Sequence, residues 1–132
     1  MFAPFRTFAS TYSRVGVETG VTEASPHRLV AMLFDGAIES IHQARGALAS
    51  RDIAAKGQAI GKAVRIVDEG LKGGLDRGAG GQLATDLSAL YDYLLRRLTE
   101  ANLRNDDAAL AECSTLLDSV RQGWNGIATQ AH

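Results

Sequence analysis

Along four separate stretches of this 132-residue chain, apolar residues return at alternating intervals of four and three. That repeat winds an apolar seam along one face of an α-helix, and the seam needs helical neighbours to cover it. The first stretch reads Val30, Phe34, Ala37, Ile41, Ala44 and Leu48. Ser25 precedes it as a preferred N-cap, and Pro26 suits the first helical position, where a missing N–H costs nothing. A helix over 26–49 follows. Leu29, Met32 and Leu33 lie outside its seam, so this helix carries more apolar surface than one neighbour covers.

Asp52 is a candidate cap for a second helix over 53–76, with the seam Ile53, Gly57, Ile60, Val64, Val67 and Leu71. Its glycines, among them Gly57, Gly61 and Gly70, lower helicity by up to about 1 kcal/mol each. In exchange they permit close approach of a neighbouring backbone. Residues 78–81, Gly-Ala-Gly-Gly, read as a loop. No strand precedes them and no Gly-Lys-Ser/Thr follows, so turn geometry explains them better than phosphate binding. A third helix over 82–101 carries Ala84, Leu87, Tyr91, Leu94, Leu98 and Ala101. After a turn at 103–106, with Asn105 or Asp106 as cap, the fourth carries Leu110, Cys113, Leu117, Val120, Trp124 and Ile127. Connections this short force antiparallel neighbours, and no segment alternates as a half-buried strand does. The expected fold is all-α, an antiparallel four-helix bundle crossing at about 20° over residues 25–132. Residues 1–24 stand apart as an N-terminal arm and linker. Phe2, Phe5, Phe8, Tyr12, Val15 and Val17 make the arm apolar, which predicts that it lies against the body.

Several function classes lose support at this stage. A formal net charge of −1 gives no reason to expect nucleic acid or a membrane surface as partner. One cysteine, Cys113, allows no intrachain disulfide and no multi-cysteine zinc site, and on a seam it reads as a small buried hydrophobe. No apolar run reaches the roughly 20 residues of a membrane span, and no secretory signal opens the chain, so a cytoplasmic protein is expected. Glu39 and His42 form a single Glu-x-x-His, whereas a di-metal bundle needs two together with further carboxylates. No metal or cofactor is expected. His42, Arg45 and Gly46 resemble the His-x-x-Lys/Arg-Gly pattern of histidine phosphotransfer bundles, which stands as the alternative function. Arg96, Arg97 and Arg104 read as a solvated face, and catalysis is not expected.

Surplus apolar residues remain: Leu29, Leu33, Ile66, Leu83, Leu90 and Leu116 lie off the seams. With a detachable apolar arm, they suggest a groove that takes a partner's amphipathic helix. Longer motifs then point to a family. The blocks Tyr12 to Thr19, Ala24 to Leu29, Met32 to Ala37, Lys62 to Leu71, Leu90-Tyr91-Asp92-Tyr93-Leu94 and Ala101 to Asp106, with a late Trp124, resemble the FliS family of flagellar secretion chaperones. The likeness spans about Tyr12 to Ile127, and the Phe2-Ala3-Pro4-Phe5 start departs from it.

The resemblance implies a helical binding protein of the bacterial cytoplasm with no catalytic role. It would hold the disordered C-terminal segment of flagellin, block premature polymerisation and aid delivery to the flagellar export gate. Whether an anti-sigma factor also binds stays open. The partner-binding set expected on this reading is Tyr12, Val15 and Val17 from the arm with Ile60, Ile66, Val67, Leu83, Leu90, Tyr93 and Leu94 from the body. Which helix pair opens to form the groove is not specified by the seams.

Overall fold

A computed structural model describes residues 25–130. Among them lie four helices and no strand. Helix α1 is Pro26–Ala49 and α2 is Ile53–Arg65, which runs on into a π-helical segment, Ile66–Lys72. Helices α3, Arg77–Arg104, and α4, Asp107–Gln130, complete the bundle. The expected all-α fold is the observed one. The arm, with Tyr12, Val15 and Val17, lies outside the described residues.

Helix α1 begins as its sequence dictates. Ser25 Oγ accepts a hydrogen bond from the Arg28 N–H at 3.1 Å, and Pro26 occupies the first turn. The helix buries ten residues because α2 covers one side and α4 the other. Leu29, Met32 and Leu33 are buried together with the seam, so this flank widens the core and leaves no spare surface. Cross-links show that α1 and α4 are antiparallel: His27 pairs with Trp124, Asp35 with Arg121, His42 with Ser114 and Arg45 with Asp107. On the opposite side, Lys72 pairs with Asp92 of α3 at 2.6 Å. At the far end the buried Lys56 ammonium donates to the Asn102 carbonyl at 2.8 Å and to Asn105 Oδ1 at 2.7 Å. A cation there suits the negative end of the α3 dipole and satisfies a carbonyl left over by the helix terminus.

Three boundaries differ from the sequence expectation. The second helix is not α-helical to residue 76; it widens into the π segment, and the Gly73 N–H reaches back five residues to the Asp68 carbonyl at 3.0 Å. The wider turn brings both Ile66 and Val67 into the core, although strict α-periodicity leaves Ile66 off the seam. Gly70 makes room for this packing: a Cβ there would sit 2.9 Å from Leu33 Cδ2. The close neighbour is therefore a side chain of α1 and not a backbone. Residues 77–80 form the first turn of α3, where a loop over 78–81 was expected, with Asp76 Oδ1 accepting from the Ala79 N–H at 3.0 Å. The chain bends at Gly81, whose φ of 56° and ψ of −132° suit glycine and few other residues. Finally, α3 continues to Arg104, stops at the left-handed Asn105, and Asp106 caps α4 through the Ala109 N–H.

Two glycines of the second helix, Gly61 and Gly70, should respond to alanine in opposite directions. Gly61 faces open space, so Gly61→Ala should raise stability by about 0.5–1 kcal/mol through helix propensity alone. Gly70→Ala must displace the fully buried Leu33 and should cost about 1–3 kcal/mol. Urea unfolding of both variants measures the contrast.

Candidate functional site

An apolar groove of about 500 Å³ lies at the end of the bundle where α1 begins, the π segment turns into α3, and α4 ends. Val30 and Phe34 come from α1, and Leu71 and Leu75 from the π segment and the turn after it. Leu83, Ala84, Leu87 and Tyr91 come from α3, and Val120, Trp124 and Ile127 from α4. Most of these are seam residues. The groove is thus the core's own seam continued past the point where the four helices close on one another. Phe34, Leu71, Ala84 and Tyr91 are buried and form its floor. Leu83 and Ile127 stand at its rim, 60% and 47% exposed. Asp76, the α3 cap, is the charged residue in an otherwise apolar lining.

Two residues join the walls at the mouth. The imidazole of His27 and the indole of Trp124 stack with centroids 4.4 Å apart and planes 8° from parallel. Each ring also donates to the other residue's backbone: His27 Nε2 to the Trp124 carbonyl at 2.8 Å, and Trp124 Nε1 to the His27 carbonyl at 2.9 Å.

The polar constellations lie elsewhere. Tyr93 Oη donates to Glu112 Oε2 at 2.6 Å and Arg97 Nε to Glu112 Oε1 at 2.8 Å, tying α3 to α4. The Tyr93 hydroxyl and then the Arg97 guanidinium hold the Glu112 carboxyl below its usual range, and the Tyr93 phenol is raised in return. Beside them Cys113 is buried, and burial pushes its thiol up to about 12, which removes it from nucleophilic chemistry at neutral pH. His42 Nε2 and Ser114 Oγ are 3.0 Å apart, and Arg45 forks onto Asp107 at 2.8 and 3.1 Å. The Arg45–Asp107 pair is exposed on both sides and of small worth. Among the described residues, no three His, Cys, Asp or Glu side chains converge as metal ligands, and no helix is long and apolar enough to cross a membrane.

Of the residues expected to bind a partner, the structure brings Leu83 to the groove. Ile60, Ile66, Val67 and Leu94 are closed inside the core, with exposures of 1% or less. Leu90 is half-buried outside the lining, and Tyr93 is held against Glu112 with the Arg96 guanidinium 5.8 Å above its ring. The lining residues missed by sequence reasoning, including Val30, Leu87, Val120 and Trp124, sit on seams and so read as ordinary core. A usable signal existed in their position: all lie in the halves of their helices that meet at one end, the end of the glycines of 78–81.

The chain matches the family described as flagellar protein FliS over residues 8–131. The flagellar secretion chaperone FliS of Salmonella typhimurium is 50% identical over 120 residues, covering 91% of this chain and 89% of that protein. FliSB of Pseudomonas aeruginosa is 47% identical over 116 residues, with 88% and 91% covered. FliS of Escherichia coli is 38% identical over 113 residues, with 86% and 83% covered. The chain belongs to the FliS family of flagellar secretion chaperones. Membership assigns it a flagellar export chaperone role with a protein client. As a family, FliS proteins are non-enzymatic chaperones.

The Glu112 carboxylate, depressed by Tyr93 and Arg97, adds stability at neutral pH that is lost as pH falls through its lowered value. Glu112→Gln lacks that contribution. Its deficit in urea midpoint relative to the parent should be full at pH 7 and shrink steadily below about pH 5, where unfolded carboxylates begin to protonate.

Proposed function

We propose that this chain is a cytoplasmic chaperone whose groove receives the disordered C-terminal segment of flagellin. In doing so it prevents premature polymerisation and presents the subunit to the flagellar export gate. The observation that carries the reading is the apolar groove continuing the bundle seam at one end, lined by Val30, Leu83, Leu87, Val120, Trp124 and Ile127. Such a lining suits the apolar face of an amphipathic helix that folds as it binds. Burying four large apolar side chains of the client contributes on the order of 6–12 kcal/mol. Ordering the segment offsets roughly 2–5 kcal/mol or more. The remainder gives a complex tight enough to protect the client and weak enough to release it.

On this reading the apolar arm, residues 1–24, competes with the client. Tyr12, Val15 and Val17 cover part of the groove in the free protein and give way when flagellin arrives. The arm's apolar composition and its Gly/Thr-rich link to Ser25 support this.

Co-expression with flagellin should yield a complex that co-purifies, and removing the last ~40 residues of flagellin should abolish it. Leu83→Asp combined with Ile127→Asp changes two exposed rim positions, so the bundle should stay folded while affinity for flagellin falls at least about tenfold. Leu103→Asp, at an 80% exposed position on the opposite end, is the control and should bind as the parent does. Retention of truncated flagellin, or equal losses from the rim and control variants, would refute the assignment. Deleting residues 1–17 should alter affinity without unfolding the bundle; an unchanged isotherm rejects the arm's role.

A further inference from the structure

We propose that His27 is a positioning residue for client binding: by clasping Trp124 it holds the last turns of α4 as one wall of the groove and sets the pose of the indole there. The need for such a clasp follows from how α4 loses its hold on the core. Cys113 and Leu117 are fully buried, Val120 and Trp124 only half so, and Ile127 is largely exposed. Gly123 and Gly126, which weaken a helix, flank the tryptophan, and nothing packs where either would carry a Cβ. Past Leu117, Val120 and Trp124 still pack against the core but are only partly buried, so burial resists fraying less there than earlier in the helix. Contacts with α1 add to it: Arg121 with Asp35 at 3.0 Å, an exposed pair of small worth, and the reciprocal His27–Trp124 bonds with their stack.

The clasp does more than anchor. Because each ring donates to the other residue's backbone carbonyl, neither side chain can rotate without breaking its own hydrogen bond and the stacked contact. The ring that lines the groove is then held in one orientation before a client arrives, which removes an ordering cost from binding. A tryptophan fixed in this way, next to Val30, Val120 and Ile127, has the character of an interface anchor. His27 does not itself line the groove and acts through Trp124.

Resting on the groove as the flagellin site, the inference is tested with the full chain and a peptide of the last ~40 residues of flagellin. Trp124 is the chain's single tryptophan, so its emission reports this site alone. In the parent, saturating peptide should change that emission. His27→Ala should weaken calorimetric affinity about tenfold or more, shift the free protein's emission toward that of a solvated indole, and leave helical content at neutral pH unchanged. His27→Gln, which keeps an N–H for the Trp124 carbonyl, should recover part of the affinity. If His27→Ala unfolds, Trp124→Phe keeps an aromatic ring without the indole donor and should show the same weakening. Parent-like affinity in His27→Ala or in Trp124→Phe, or no rescue by glutamine, overturns the positioning role while leaving the groove assignment intact. Emission from the bound parent that does not move, in a complex calorimetry detects, also overturns it. A parent chain that binds no flagellin peptide sinks the groove assignment first.

Discussion

Helix α1 is too apolar to be satisfied by one neighbour, and that constraint organises the molecule. Its ten buried residues occupy more than a single stripe, so α2 and α4 must both lie against it. Covering both flanks closes a ring in which α3 takes the remaining place, against the π segment and α4. Within that closure Leu33 packs directly against Gly70. There α1 enters the space that a Cβ would occupy, and the second helix widens by a turn of π geometry to accommodate it. A helix bulged in this way is frequently a functional feature. Here it brings Ile66 and Val67 together into the core and carries Leu71 and Leu75 toward the groove.

The two ends of the bundle differ in kind because their closures differ. At the far end a buried lysine, a left-handed asparagine and the Asp106 cap saturate the backbone groups where α3 turns into α4. That end is polar, pinned and satisfied. At the near end α3 bends at Gly81 and α4 runs on past its last fully buried residue, Leu117, so the helices share a seam they do not close completely. An apolar seam left partly open has a physical use in a family whose task is to hold a client. On the proposed function, that surface is where a client's helix would complete the bundle.

Side-chain chemistry follows the same division. The polar contacts that could suggest catalysis all serve to join helices: Tyr93 and Arg97 bracket Glu112, Arg45 grips Asp107, and Arg121 bridges Asp35 and Asp118. Cys113 is buried, with its thiol pushed up to about 12. The groove offers shape and apolar area, with Asp76 the charged residue in its lining.

Local order was legible in the residues themselves. Ser25-Pro26 specified where α1 starts, and the three-and-four repeats specified four helices and the faces they bury, because capping and periodicity act within a few residues. The glycines around 81 marked an interruption, though not that Asp76 would cap a helical turn just before it. Longer-range choices were not legible. Strict α-periodicity left Ile66 off the seam and gave no sign that a π turn would bury it. It also counted Leu29 and Leu33 as surplus, while Val30, Val120 and Trp124 read as plain core. Whether a seam residue is sealed or lines a groove depends on where the partner helices bend and end, and those positions come from the packing of Leu33 on Gly70, the kink at Gly81 and the clasp of His27 on Trp124. Each of these joins or redirects elements through contacts or backbone geometry that a one-dimensional repeat does not encode. The sequence by itself therefore determined the helices and most of their buried faces, and only the tertiary structure decided at which end of the bundle the seam is left partly open as an apolar groove.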